Sequence, residues 1–410
     1  MRAPGTGRRR PRVSWWRVAL ALALAAVAVM VVRQGVAAAT RKGRPAAALA
    51  LAPWNSRASS AEAERVLAAA QDAGSRARAR DLARRAVRRD PTNVSALATL
   101  GLLAAFDGDA ASAERLFGLS HRLSRRELRT QLWLIERAVT RGDVPGAMRH
   151  YDFALRTSRN ARDLLFPVLA SAITDPRISA QVAATLSGRP LWSDLFLYHA
   201  AFSGRYPVAT ADLFARLDRA GHPIPVDTEA GLIRRLIADG KLDAAWRRYA
   251  SVNRAADRTR LRAADFRQPE SAATPFDWTV TAEGGLAASL PGETGSGLDV
   301  QAAPGSGGAV ASQLQLLAPG AYRLSGRARG LTTDVTERPY WSLSCIAGSQ
   351  AELVRVPLQT AGDASRIFAG DFQVPADCPT QSLRLLVPAN DGIGGVELVV
   401  ETVAIRRKQE

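Results

Sequence analysis

The 410-residue chain has only two cysteines, four histidines and three lysines. Cys345 and Cys378 are spaced too widely for a redox Cys-x-x-C pair or a metal knuckle, and no histidine cluster lies near them. Two cysteines in one domain fit a single disulfide, or a pair of buried free thiols. His121, His150, His199 and His222 are scattered over the middle of the chain without a zinc spacing. No nucleophile elbow or phosphate-binding loop is present, and Gly284-Gly285 and Gly305 to Gly308 read as turns. Asp391-Gly392 reads as a hairpin turn. No catalytic group, cofactor or metal is therefore expected, and the chain reads as a binding protein rather than an enzyme.

Acidic charge is missing from the first part of the chain. Residues 1–45 carry ten Lys or Arg and no Asp or Glu, residues 46–270 carry 35 against 24, and residues 271–410 carry 10 against 14. The formal charge of +17 is thus confined to the first two thirds, mostly as arginine in an Ala/Arg-rich chain. No recognition motif accompanies it, so nucleic acid is not an expected partner. A basic helical surface still suits an acidic polymer or anionic lipid heads.

The length calls for more than one core. At the amino end, Arg2, Arg8, Arg9, Arg10, Arg12 and Arg17 precede an uninterrupted apolar run from Val18 to Val32. Trp15, Trp16 and snorkelling Arg17 and Arg33 extend this slightly short run to a membrane span. An uncleaved anchor is expected within residues 1–42. The alternative is a signal peptide cut near Val36-Ala37-Ala38-Ala39. The denser basic cluster before the span puts the N-terminus in the cytoplasm and the bulk of the chain in the periplasm of a bacterial inner membrane. Residues 43–59, rich in Ala, Pro and Ser, read as a linker.

From residue 60 a pattern returns at a fixed interval. Gly74, Gly108 and Gly142 lie 34 residues apart, and Ala79, Ala113 and Ala147 follow them in phase. Ala83, Phe117 and Tyr151 come next, then Ala86, Ser120 and Ala154. That period belongs to stacked helix–turn–helix units, with small residues where helices cross and an aromatic filling the gap between units. Register fails between Asn160 and Arg189, where Pro167, Pro176 and Gly188 predict short or irregular helices. It resumes with Gly204 and Ala209, and again with Gly240, Ala245 and Tyr249, for about five units over residues 60–265. These segments resemble tetratricopeptide repeats. The resemblance implies an α-helical solenoid with a groove that docks protein partners. A rigid spacer is the plainer reading. Arg129, Arg137, Arg141, Arg234 and Arg235 are candidates for the groove or for a solvated face.

Near residues 266–274 helical periodicity gives way to ten short alternating runs, which predict an all-β sandwich over residues 274–408. Phe276-x-Trp278, Gln313-x-Gln315-Leu316 and Pro319-Gly320-x-Tyr322-x-Leu324-x-Gly326 resemble the jelly-roll sandwich of carbohydrate-binding modules. That resemblance implies sugar contacts from exposed aromatics and amides, for which Tyr340, Trp341, Gln313 and Asn390 are the candidates. Trp278 reads as core, and Trp341 alternates with Leu343 and Cys345 on the inward face, leaving Tyr340 the better exposed candidate. A Cys345–Cys378 bridge would tie the tryptophan strand to the end of the Phe372 strand.

The expected fold is α+β and multidomain: a transmembrane helix, a tetratricopeptide-like solenoid and a jelly-roll-like sandwich. The expected role is a scaffold or adaptor of envelope or exopolysaccharide assembly. Partners would dock on the repeats, and polysaccharide could meet the sandwich. The alternatives are a carbohydrate-binding protein acting through the sandwich, or a structural spacer.

Overall fold

In the computed structural model, residues 15–268, 273–291, 297–331, 337–348, 350–359, 364–389 and 395–408 are described. Within them, helices come first and strands follow, and the chain divides into two compact units, residues 1–165 and 166–410.

The first unit opens with α1 (Trp15–Thr40), 26 residues or about 39 Å long, whose apolar stretch is exposed. It is long and apolar enough to cross a membrane. Its last two turns belong to the folded unit. Ala37 is buried against Ala48, Ala52 and Ala58, the first two of which sit in and just after α2 (Pro45–Leu51). Arg33 donates from Nε to the Leu51 carbonyl at 2.9 Å, and its guanidinium lies 5.6 Å from the Trp54 ring centroid. Asn55 donates to Gln34 at 2.8 Å. The expected linker over residues 43–59 is therefore corrected: it holds α2 and the start of α3 (Ser56–Ala68). Its alanines are strong helix formers, and small enough for α2 to lie close against α1. Trp54 packs under Arg33 of α1.

Three helix pairs follow: α3 with α4 (Ala73–Arg89), α5 (Val94–Phe106) with α6 (Ala110–Leu123), and α7 (Leu128–Thr140) with α8 (Val144–Thr157). Helices α5 and α7 start and end 34 residues apart. Gly108 and Gly142 adopt φ of +78° and +71° just after α5 and α7. At the first, Gly108 N donates to Ala105 and Asp109 N to Ala104; at the second, Gly142 N donates to Val139 and Asp143 N to Ala138. Both are Schellman endings, which need a left-handed residue and so favour glycine. Asp109 and Asp143 then cap the next helix through bonds to Ser112 N and Gly146 N. Gly74 is a correction. It lies inside the first turn of α4, which begins one turn early, is capped by Asp72 and runs 17 residues against 14 for α6 and α8. The ends of α4, α6 and α8 remain in phase, so Ala79, Ala83, Ala86, Ala113, Phe117, Ser120, Ala147, Tyr151 and Ala154 are all buried at the crossings. Gly101 makes one crossing possible: a Cβ there would stand 2.8 Å from the Phe117 ring.

Helix α9 (Asn160–Ala172) crosses the division between the units. Short or irregular helices are the expectation here; α9 and α10 (Pro176–Ser187) are continuous, with 13 and 12 residues. Pro167 sits on the exposed side of α9, where water can bond the carbonyl it leaves without a donor. Pro176 occupies the first turn of α10, where its missing N–H costs nothing, and Asp175 caps that helix. Then come α11 (Ser193–Phe202), α12 (Pro207–Arg219), α13 (Val226–Ala238) and α14 (Leu242–Val252). Among the described residues of the second unit, α10 packs on α12, and α13 packs on both α11 and α14. Gly240 ends α13 as Gly108 ends α5, and Ala245 is buried. Gly204 has no positive φ; it is needed because a Cβ would stand 2.3 Å from the Ala200 carbonyl. Ala209 is only half-buried, and Thr210, four residues past the α12 cap, takes the crossing position.

Among the described residues the sandwich has two antiparallel five-stranded sheets. One runs in the order β1 (Thr279–Val280), β4 (Gly308–Gln315), β9 (Gln381–Val387), β6 (Tyr340–Cys345), β7 (Glu352–Pro357). The other runs β2 (Leu286–Ser289), β3 (Leu298–Ala302), β10 (Val396–Arg407), β5 (Gly320–Arg329), β8 (Arg366–Val374). Alternating residues such as Leu298, Val300 and Ala302 of β3 face the core between the sheets. All ten predicted runs hold a strand. The core also takes in Leu261 and Phe266, so the chain before residue 274 already belongs to it. The Phe266 ring lies tilted 5.0 Å from that of Trp278, whose Nε1 donates to the Ala263 carbonyl. Cys345 at the end of β6 is bonded to Cys378 in the β8–β9 connection, with Cα atoms 5.6 Å apart.

Candidate functional site

Of the expected sugar contacts on the sandwich, Trp341, Gln313 and Tyr340 are described. Trp341 is fully buried, 5.6 Å from the Trp278 ring. Gln313 is buried too; it donates to the Arg262 carbonyl and accepts from Gln315. Both are corrected to core residues. Strand alternation put Trp341 inward, and Gln313 faces the same interior because its amide has backbone and side-chain partners there. Tyr340 is half-buried, with the Arg355 guanidinium 4.3 Å from its ring centroid. Asn390 and Asp391-Gly392 lie outside the described residues.

In the first unit a cleft of about 380 Å³ opens between the α5–α6 turn and α7. Leu102 and Phe106 line one side, and Trp133 the other, stacked 4.6 Å from Phe117. Phe106 is 68% exposed. The candidate arginines mostly hold the array together. Arg129 bonds Glu127, Ser95 and Thr99, and Arg137 and Arg141 both reach Glu114. In the second unit Arg234 donates to the Ala273 carbonyl and Arg235 pairs with Asp239.

The histidines are not all scattered. His121 and His150 lie 5.2 Å apart by ring centroids, and Gln131, fully buried, bonds to the Nδ1 of each. Burial, then the neighbouring His121 and Arg149, lowers the His150 pKa to about 4. The 34-residue period brings α6, α7 and α8 side by side, which sequence spacing alone does not reveal. Among the described residues no cluster of three or more metal-ligating side chains occurs.

The most developed site lies in the second unit, between α12–α14 and the entry to the sandwich. It is a cavity of about 310 Å³, at the lower end of the size range for small-molecule pockets. Two arginines form its frame. Arg248 of α14, 3% exposed, donates from Nε and Nη2 to both oxygens of Glu229 and from Nη1 to Asp218 Oδ2, each at 2.5 Å. Burial raises the Glu229 pKa against the pull of Arg248. Arg262 meets Asp277 Oδ1 at 2.7 Å, and Asp277 also accepts from the Tyr249 hydroxyl, Thr274 Oγ1 and Thr274 N. An apolar wall comes from Ile224, Val226, Ile233 and Val252.

His222 completes the lining. Gly221, at φ +69°, ends α12 with a Schellman pair, Gly221 N to Asp218 and His222 N to Leu217. Pro223 stops the helix from continuing, so His222 leaves the helical path at a fixed point. It is 5% exposed, and neither ring nitrogen has a hydrogen-bond partner. Burial, with Arg189 nearby, lowers its pKa and keeps the ring neutral at pH 7. Sequence reading missed this whole constellation. Its charged members are lost among many arginines and carboxylates, and only the Gly221-His222-Pro223 helix stop marked one of them.

Comparison with known proteins adds fold neighbours of low similarity. No family model matches the chain, and no curated protein matches it. Among solved structures, Pseudomonas aeruginosa pilF is 14% identical with a TM-score of 0.28, covering 55% of this chain and 91% of its own. PilW, a type IV pilus biogenesis factor, is 13% identical with a TM-score of 0.26, over 49% and 93%. The CBM22-1 xylan-binding domain from Paenibacillus barcinonensis is 12% identical with a TM-score of 0.27, over 37% and 96%. With every score below 0.5, the architecture stands on its own helix pairs and sheets: tetratricopeptide-like hairpins followed by a jelly-roll-like sandwich.

Proposed function

We propose that this chain is a membrane-anchored adaptor that docks partner proteins on its tetratricopeptide-like hairpins, with a binding rather than catalytic role. The observation that carries the reading is the apolar cleft beside Phe106 and Trp133, where a large aromatic side chain stays exposed at the junction of two repeats. Such a cleft suits an apolar anchor residue on a partner segment. The span is α1, retained in the mature protein, because Ala37, at the alternative cleavage site, is buried in the first unit. The inner membrane, a cytoplasmic N-terminus and a periplasmic bulk agree with the basic leader and with a disulfide, which persists in oxidising compartments. Envelope or exopolysaccharide assembly is the setting this arrangement fits. The burial of Trp341 and Gln313 weighs against a sugar site on the sandwich.

A photocrosslinking residue placed at Phe106, and as a control at Arg122 on the exposed side of α6, tests the reading in cells. A discrete protein adduct from position 106, absent from position 122 and lost on Trp133→Ala, is expected. Equal labelling at both positions would overturn it. Peptide mapping of the membrane fraction should recover residues 34–41, and their loss would overturn the retained anchor.

A further inference from the structure

We infer that one edge of the helix array in the first unit, carrying Arg88, Arg89, Arg122, Arg125, Arg126 and Arg159, lies against the anionic phospholipid headgroups of the bilayer that α1 crosses. This contact rests on α1 being a membrane span, and it adds a lipid partner to the proteins docked on the repeats.

A succession of hydrogen bonds fixes which edge faces the bilayer. The apolar run of α1 ends just before Arg33. Asn55, the cap of α3, donates to Gln34 at 2.8 Å, so α3 starts at that level of α1. The end of α4 lies beside this start: Ser56 Oγ donates to the Ala86 carbonyl at 3.0 Å, and Arg89 donates to the Pro53 carbonyl. Asn93, the cap of α5, donates to Ser56 at 2.8 Å. Further along, Ser120 near the end of α6 bonds Val94 at the start of α5 and Thr130 in the first turn of α7. Gln131 in that same turn bonds His150 in the second half of α8, which brings the end of α8 and Arg159 to the same side. The ends of α4, α6 and α8 thus share the side on which α1 enters the hydrocarbon.

That side is basic. Residues 85–93, 119–127 and 153–160 hold eight arginines against two acidic residues, whereas the opposite turns, residues 69–75, 104–112 and 138–146, hold four aspartates against one arginine. Arg88, Arg122, Arg126 and Arg159 are exposed and form no ion pair among the described residues. Helix dipoles do not account for the bias, because each edge holds helix starts as well as helix ends. Arg125 and Arg126 even stand just ahead of α7, where the dipole favours acids. Trp54 and Leu123 are exposed on the same edge, and an indole beside arginines is the composition of a membrane interface. The planar guanidinium binds phosphate oxygens in pairs, and a row of such groups is drawn to a negatively charged bilayer. A soluble acidic polymer matches the charge too, but only the bilayer is already held beside this edge by α1.

The test reconstitutes the full chain in vesicles of phosphatidylcholine alone or with about 30 mol% phosphatidylglycerol, and flotation first reports whether it is held in the bilayer. A fluorophore is attached through Thr92→Cys on the basic edge or Ala110→Cys on the opposite turn, the native cysteines being bonded to each other. Its quenching by lipid with a nitroxide on the headgroup is then read. At position 92 quenching should be at least about twofold greater in the anionic vesicles, and should fall to the phosphatidylcholine level at about 1 M salt, where the Debye length is about 3 Å. At position 110 it should be weak in both. Changing Arg88, Arg122, Arg126 and Arg159 together to glutamine should remove the difference at position 92 without stopping flotation. Equal quenching at position 92 in the two vesicle types, with the chain afloat, would overturn this contact alone. Binding of soluble polyphosphate with no response at position 92 to anionic lipid would assign the edge to a soluble polymer instead. A chain that floats with neither vesicle would overturn the span and this contact together.

Discussion

The Tyr249 hydroxyl donates to Asp277 Oδ1 at 2.7 Å, joining the last helix to the turn that enters the sandwich. Trp246 and Tyr249 also pack against Phe276, with ring centroids 5.3 and 5.1 Å away. The end of the repeats and the start of the sandwich thus share one small core.

Removing that hydroxyl should loosen this core. Tyr249→Phe is expected to cost about 1–3 kcal/mol in denaturant unfolding, since Asp277 loses one of its donors. Burial, and then Asp277, raises the Tyr249 pKa above 10.0, the value of a free tyrosine. The stabilisation from the neutral phenol is therefore present below pH 10 and lost as the pH rises above it. Tyr249→Phe should flatten the fall in stability on the alkaline side. An unchanged alkaline slope would show that this phenol is not the buried group.

The three in-phase glycines should respond differently to one substitution. Gly108→Ala and Gly142→Ala are each expected to cost about 1 kcal/mol, because a Cβ is strained at positive φ. Gly74→Ala should change stability by less than about 0.5 kcal/mol: the gain in helix propensity offsets a Cβ 3.2 Å from Asp72 Oδ1. Gly101→Val should cost about 1–3 kcal/mol by overpacking against Phe117. Thermal melts of the four variants check the order.

Acid should act first on the paired histidines. His150 has a folded pKa of about 4, against 6.5 for a free histidine. Its contribution is present above pH 6.5 and is lost as the pH falls toward 4, because the unfolded chain takes up the proton first. Urea midpoints measured across that window should drop less in His150→Gln than in the unaltered chain. Parallel curves would contradict the burial of this ring.

Reduction should weaken the sandwich. The Cys345–Cys378 bond closes a sequence separation of 33 residues, so replacing both cysteines with serine is expected to cost about 2–4 kcal/mol. Differential scanning calorimetry with and without dithiothreitol reads the shift, and the double-serine variant should show none on adding the reductant.

The sequence by itself determined the order of parts. A single apolar run before Arg33, a 34-residue interval and a switch to period-two alternation are local patterns, and each dictates its element through backbone sterics and burial on one face. The strands were legible to within a few residues because each inward side chain alternates with an outward one. Gly108 and Gly142 were legible because only a left-handed turn explains them, whereas Gly74 kept the interval without the turn, since Asp72 capped its helix one turn early. Tertiary structure alone decided what those elements bring together. Residues far apart in sequence, such as Asp218, Glu229, Arg248 and Asp277, meet only once the helices stack against the sandwich entry. Likewise Gln313 changes from a candidate contact to a buried support, because its environment comes from strands and loops that no local pattern encodes.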